Sequence, residues 1–158
     1  MVTTMVRAGA IVAILVLLMV PAMLASSGQT LQVHTADGTL VWCVNVKSKD
    51  TVQLQFTHSM FGGYVREDWR VTPSSELARS RFVTENAAAA EYYATDGTSY
   101  RADDGYVVPG APLQQPELTI RVNNRGNHVL TTGDNSIHLA EALPQSTQVK
   151  VRVQPESC

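Results

Sequence analysis

The most constraining feature of this chain is the two-residue rhythm of Thr51 to Val71, TVQLQFTHSMFGGYVREDWRV. Successive side chains of an extended strand point to opposite faces, whereas a helix repeats every 3.6 residues. Val52, Leu54, Phe56 and His58 therefore share one face, and Gln53, Gln55, Thr57 and Ser59 the other. After Gly62-Gly63, Val65, Glu67, Trp69 and Val71 oppose Arg66, Asp68 and Arg70 in the same way. The stretch reads as two antiparallel arms around a glycine turn. A two-residue turn sets His58 opposite Glu67 and Phe56 opposite Trp69. A four-residue loop, Met60 to Gly63, makes His58 and Glu67 diagonal neighbours instead. In both registers two ionisable groups lie in step with the apolar residues. An unpartnered carboxylate under such a layer costs on the order of several kcal/mol, so a contact between His58 and Glu67 is expected.

Two uses of that pair stay open. It is either a buried polar clip that fixes strand register or a ligand site at the hairpin end, for which His58, Ser59, Glu67 and Trp69 are the candidate binding residues. No catalytic residue is assigned. Ser59 points away from His58 on a strand, so it lacks its base, and no G-x-S-x-G elbow occurs. No metal or cofactor is assigned either: His34, His58, His128 and His138 form no H-x-x-x-H or H-E-x-x-H spacing, and the phosphate-cradling and dinucleotide-binding glycine patterns are absent. His34 and His138 follow the polar faces. His128 shares a face with Leu130 opposite Val122, which makes a His58/His128/Glu67 cluster the one metal set worth testing. Twelve Lys and Arg against 14 Asp and Glu leave no basic field, which argues against nucleic acid as a partner.

Beyond residue 27 the chain alternates short apolar-periodic runs with turn residues, the pattern of an all-β, antiparallel sandwich or partly open barrel. TLQVHT turns at Asp37-Gly38 into TLVWCVNV; Leu118, Ile120 and Val122 alternate before NNRGN, HVLTT follows, and Val149, Val151 and Val153 make a last strand. SIHLAEALP starts as a strand and ends in a helical turn before Pro144. The four alanines of ENAAAAEYYATDG predict one short helix over Asn86 to Ala94, capped by Thr84 or Glu85 and closed at Gly97. Ser99 to Gln115, rich in Asp, Gly and Pro, reads as a long loop with one short strand at GYVV.

An export address precedes this domain. Arg7 is followed by AGAIVAILVLLMVPAMLA without another charge, and Ala25 and Ser27 occupy small-x-small positions ahead of Gly28. Residues 1–27 are thus a signal peptide or, since the apolar helix is just long enough to cross a bilayer, an uncleaved membrane anchor. Residues 28–158 form a single extracytoplasmic β domain, periplasmic or secreted if cleaved and touching the membrane only through the N-terminal segment if not. That compartment permits a disulfide between Cys43 and Cys158; the alternative is a buried Cys43 thiol and a loose Cys158.

LQFTHSMFGGYVREDWRV, RFVTENAAAAEYY, LTIRVNNRGNHVLTTGDNSIHLAEAL and the closing VKVRV together resemble the family of small exported proteins called domain of unknown function 1850. That family's histidine-serine pair followed by a glutamate on the next strand is matched by His58, Ser59 and Glu67. The resemblance covers residues 31–153, and Asn86 to Ala90 stand where the family often has a glycine-rich stretch. It implies a neighbour of TRAP-type solute transporters of the TAXI class. The resulting expectation is a non-enzymatic binding or accessory protein whose partners are membrane transporter subunits or a small solute. Two alternatives are a metal- or His/Glu-dependent extracytoplasmic hydrolase and a structural module docking on a membrane partner.

Overall fold

A computed structural model describes residues 28–94, 97–110 and 113–158; the segment 1–27 read as signal or anchor lies outside the described residues. The chain is mostly strand, as the alternation predicts. β1 (Gln29–Thr35) and β2 (Leu40–Val46) form the first hairpin, and β3 (Thr51–Thr57) and β4 (Tyr64–Val71) the second. β5 (Leu77–Thr84) leads into α1 (Ala87–Tyr93). Then follow β6 (Tyr100–Ala102), β7 (Gly105–Pro109), β8 (Gln114–Gln115), β9 (Glu117–Arg121), β10 (Val129–Thr132), β11 (Asn135–His138), the single turn α2 (Leu139–Ala142) and β12 (Gln148–Gln154).

These strands make two antiparallel sheets and no closed barrel. One runs β2-β1-β12-β9; the other runs β11-β10-β3-β4-β5-β7-β6, with β8 on the first residues of β5. The apolar face of each strand decides the packing. Leu31, Val33, Val149 and Val151 from the first sheet share a core with Val52, Leu54, Trp69 and Leu130 from the second. A second, smaller core forms where α1 covers the other half of the larger sheet, around Val65, Phe82, Ala90 and Val108. Phe56 touches both cores. Cys43, on the face of β2 turned away from Trp42 and Val44, is bonded to Cys158.

The structure corrects four local expectations. The β3–β4 register pairs Leu54 with Glu67, Val52 with Trp69 and Phe56 with Val65, so the connection is the six residues His58 to Gly63 rather than two or four. Both Gly62 and Gly63 take positive φ there, which the diglycine supplies without strain. β9 and β10, expected as arms of one hairpin, belong to different sheets, which removes the predicted pairing of His128 with Val122. Ser99 to Gln115 is no long loop but holds the β6–β7 hairpin, β7 pairing with β5, and then β8. The helix falls where alanine propensity put it, yet its cap is Asn86, whose Oδ1 accepts from the Ala88 and Ala89 N–H groups, rather than Thr84 or Glu85.

Candidate functional site

A break in the β4–β5 ladder assembles the most unusual chemistry in the fold. Asp68 pairs with Arg81, but the next residue, Trp69, pairs with Arg79, so Ser80 is an extra residue in β5. Its hydroxyl donates to the Asp68 carbonyl at 2.9 Å, and its own carbonyl accepts the Gly110 N–H at 3.0 Å. Only glycine fits at 110, because a Cβ there would come within 2.3 Å of the Arg79 carbonyl oxygen. A bulge of this kind shifts every residue beyond it to the opposite face. Without it Arg79 would side with Arg70. With it, Arg79 joins Trp69 and Glu67 on the inner face.

Glu67 sits at the seam between the two cores, beside Leu54 and Phe82. Its side chain is only 13% exposed and that of Arg79 only 10%. Arg79 Nη1 lies 3.8 Å from Glu67 Oε1, and the Trp69 indole N–H donates to Glu67 Oε2 at 3.2 Å. Burial pushes the Glu67 carboxyl above the ordinary carboxylate range, and Arg79 and the Trp69 hydrogen bond pull the other way without overcoming it. The Arg79 Nε–H is buried without a hydrogen-bond partner. The ion pair is therefore close but not fully satisfied on the arginine side.

His58 has a different role from the one its parity suggests. It is 8% exposed, and its Nδ1 accepts the backbone N–H groups of Met60 at 3.2 Å and Phe61 at 3.1 Å. A backbone N–H only donates, so Nδ1 holds a lone pair and the proton of the neutral ring sits on Nε2, 3.4 Å from the Tyr93 hydroxyl. The Tyr93 ring stacks on Phe82 at 4.4 Å between centroids. Burial raises the Tyr93 phenol above its usual range, with the nearby Glu67 charge second. No hydrogen bond or ion pair joins His58 to Glu67. The expected partnership is divided: His58 with the loop amides and Tyr93, Glu67 with Trp69 and Arg79.

Of the four sequence-derived candidates, Glu67 and Trp69 touch, His58 lies on the same face one step removed through Tyr93, and Ser59 is exposed in the turn outside the group. Arg79 stands outside those candidates, and Tyr93, which the tyrosine-rich middle segment offers for core filling or for lining a pocket, joins them. The arginine depends on a bulge that no residue type announces, and the tyrosine arrives by the placement of α1 over the sheet. His128 stacks on Phe56 at 5.7 Å, its Nδ1 buried and without a partner, and burial lowers its pKa. Among the described residues no group of three or more His, Cys, Asp or Glu is placed to hold a metal ion, so the His58/His128/Glu67 set does not come together. A cleft of about 730 Å³, lined by Gln29, Lys47, Asp50 and Ser75 among others, is at the opposite end of β3 and does not reach the buried pair.

The family model for the domain of unknown function DUF1850 matches residues 52–139, more than half of the chain. The chain belongs to this family. The DUF1850 match begins at the first core residue of β3 and ends at the first residue of α2, so it contains His58, Glu67, Arg79 and Tyr93. Both cysteines and the strands β1, β2 and β12 lie outside it. The DUF1850 span is thus the larger sheet with α1 and the buried pair, to which β9 adds one strand of the smaller sheet. No curated protein and no solved structure matches the chain.

Proposed function

We propose that this DUF1850 chain is an extracytoplasmic, non-enzymatic binding or accessory protein. In this reading residues 1–27 are a signal peptide or anchor, residues 28–158 are one open two-sheet domain, and the protein serves TRAP-type solute uptake. The observation that carries the binding role is the Glu67–Arg79 pair. Burying two charges at 3.8 Å, with the guanidinium Nε left unpaired, costs more than an apolar pair of the same volume would. Ionisable groups held at such a cost gather at functional sites. The Cys43–Cys158 bond fits an oxidising compartment, and no helix among the described residues is long and apolar enough to cross a membrane.

The hydrolase alternative gains nothing from the geometry at His58. A general base must offer a free lone pair, and that of Nδ1 is occupied by two backbone N–H groups. Two experiments test the accessory reading. Mass spectrometry of the mature protein locates its N-terminus, and deletion of the gene is followed by uptake assays across candidate solutes. Loss of uptake of one solute class, restored by the wild-type gene but not by an Arg79→Met copy of equal abundance, is the expected result. Uptake unchanged for every solute defeats the reading.

A further inference from the structure

At the tip of the β3–β4 hairpin the chain spends apolar surface on solvent. Met60 is 74% exposed and Tyr92, on α1, is 67% exposed. Phe61, next to Met60 in the loop, has its ring 5.7 Å from the Tyr92 ring and 5.0 Å from that of His58. This patch is held rigidly from beneath. His58 Nδ1 accepts the Met60 and Phe61 N–H groups, the Asn86 side-chain amide donates to the Phe61 carbonyl at 3.0 Å, and the Glu85 carboxylate accepts the Tyr64 N–H at 2.8 Å. A loop so fixed has little conformational freedom left to lose on binding.

The charges around the patch select its partner. Exposed Glu85 and Glu91 border it on the helix side. Of the cations nearby, Arg66 on β4 is paired with Asp68 and Asp104, and Arg125 belongs to the loop whose Gly126 carbonyl accepts the Thr57 N–H at the other flank of the hairpin. An acidic rim repels an anionic lipid surface and favours a basic one. The tip is also the far end of the domain: the Gln29 side chain, next to Gly28, bonds Thr72 and Ser75 beyond the last residue of β4. The eight residues of β4 separate the two ends by roughly 25 Å.

We propose that Met60, Phe61 and Tyr92 form a docking surface for a protein partner that is apolar at its centre and basic at its rim. The proposal rests on the accessory reading for the existence of a partner and adds the surface that meets it. Solution NMR of residues 28–158, retaining the disulfide, with an amphipathic peptide of leucine and lysine as probe tests it. Amide shifts confined to residues 58–64 and 85–93 are expected, with the counterpart peptide of leucine and glutamate binding at least about tenfold more weakly. The variant Met60→Ser/Tyr92→Ser, altered only at exposed positions, loses about tenfold in affinity, and Glu91→Lys loses affinity for the lysine peptide. Equal binding of both peptides, shifts elsewhere on the domain, or stronger binding to phosphatidylglycerol vesicles than to the lysine peptide overturns the proposal. These outcomes are separate from the uptake assay: a deletion phenotype without tip binding defeats the docking surface alone, and tip binding with no deletion phenotype defeats the transport role alone.

Discussion

Arg79 reaches within 3.8 Å of Glu67 only because Ser80 is left out of the β4–β5 ladder. The bulge, the Gly110 backbone that backs it and the buried ion pair form one unit, in which a backbone irregularity delivers a charge to an otherwise apolar face. Removing either partner leaves the other buried without its counter-charge, which is the costly half of a buried pair.

That asymmetry predicts the outcome of a double-mutant cycle. Arg79→Met is expected to destabilise the domain by about 3 kcal/mol at neutral pH, since Glu67 is left without its counter-charge beside Trp69 and Phe82. Adding Glu67→Gln, which still accepts from the Trp69 indole, is expected to recover more than half of that loss. Urea unfolding of the wild type, both single variants and the double variant measures the coupling. A double variant as unstable as the sum of the singles would show that the two side chains do not interact.

The raised Glu67 carboxyl gives a pH dependence of definite sign. Its folded value lies above the ordinary 4.5, so in that window the folded state holds a proton the unfolded state has released. Stability then falls as pH rises. The contribution is complete below about 4.5 and is lost as pH climbs through the folded value. Glu67→Gln remains neutral and lacks this loss. The stability difference, variant minus wild type, is therefore expected to grow as pH rises above about 4.5 and to level off once the folded value is passed. A difference that shrinks with rising pH would mean that Arg79 outweighs burial.

Legibility in the sequence followed the range of the interactions. The strands of β1 to β4 and the position of α1 are set by neighbouring residues, through alternation and alanine propensity, and both appear where expected. Inner-face membership of His58 and Glu67 survived a wrong turn length, because lengthening the connection from two or four residues to six moves the register by whole two-residue steps. Their partners did not survive it, since such a step changes which residues face each other. The places of Arg79 and Tyr93 were hidden for a different reason. One depends on an inserted residue in a ladder, the other on how a helix is laid across a sheet, and neither leaves a periodic trace. The β9–β10 error is of the same kind: the arms alternate correctly, but nothing local says that they part into different sheets.

The disulfide closes a sequence separation of 115 residues and ties the C-terminal tail to β2. On the chain-entropy account a loop of that size stabilises by about 4 to 5 kcal/mol. Cys43→Ser/Cys158→Ser is expected to lower the urea midpoint accordingly with little change of slope, and a reductant should bring the wild type to the same midpoint. Reduced wild type as stable as the oxidised form would place the bond outside the domain's stability.

His58 and Tyr93 should separate cleanly by what they hold. His58→Ala removes the acceptor of two loop N–H groups, an expected loss of about 1 to 2 kcal/mol and faster hydrogen exchange at the Met60 and Phe61 amides. Tyr93→Phe removes only a hydroxyl 3.4 Å from Nε2, while keeping the ring on Phe82, so about 0.5 kcal/mol or less is expected and those amides should stay protected. His58→Asn is the informative third variant. An asparagine at the head of a turn accepts through Oδ1 from the amides two and three residues on, so it can replace Nδ1 while removing the imidazole. Restored protection in His58→Asn would make the histidine a loop acceptor first. Protection restored with solute uptake still lost would give the ring, and the Nε2 proton it carries, a second role in the site.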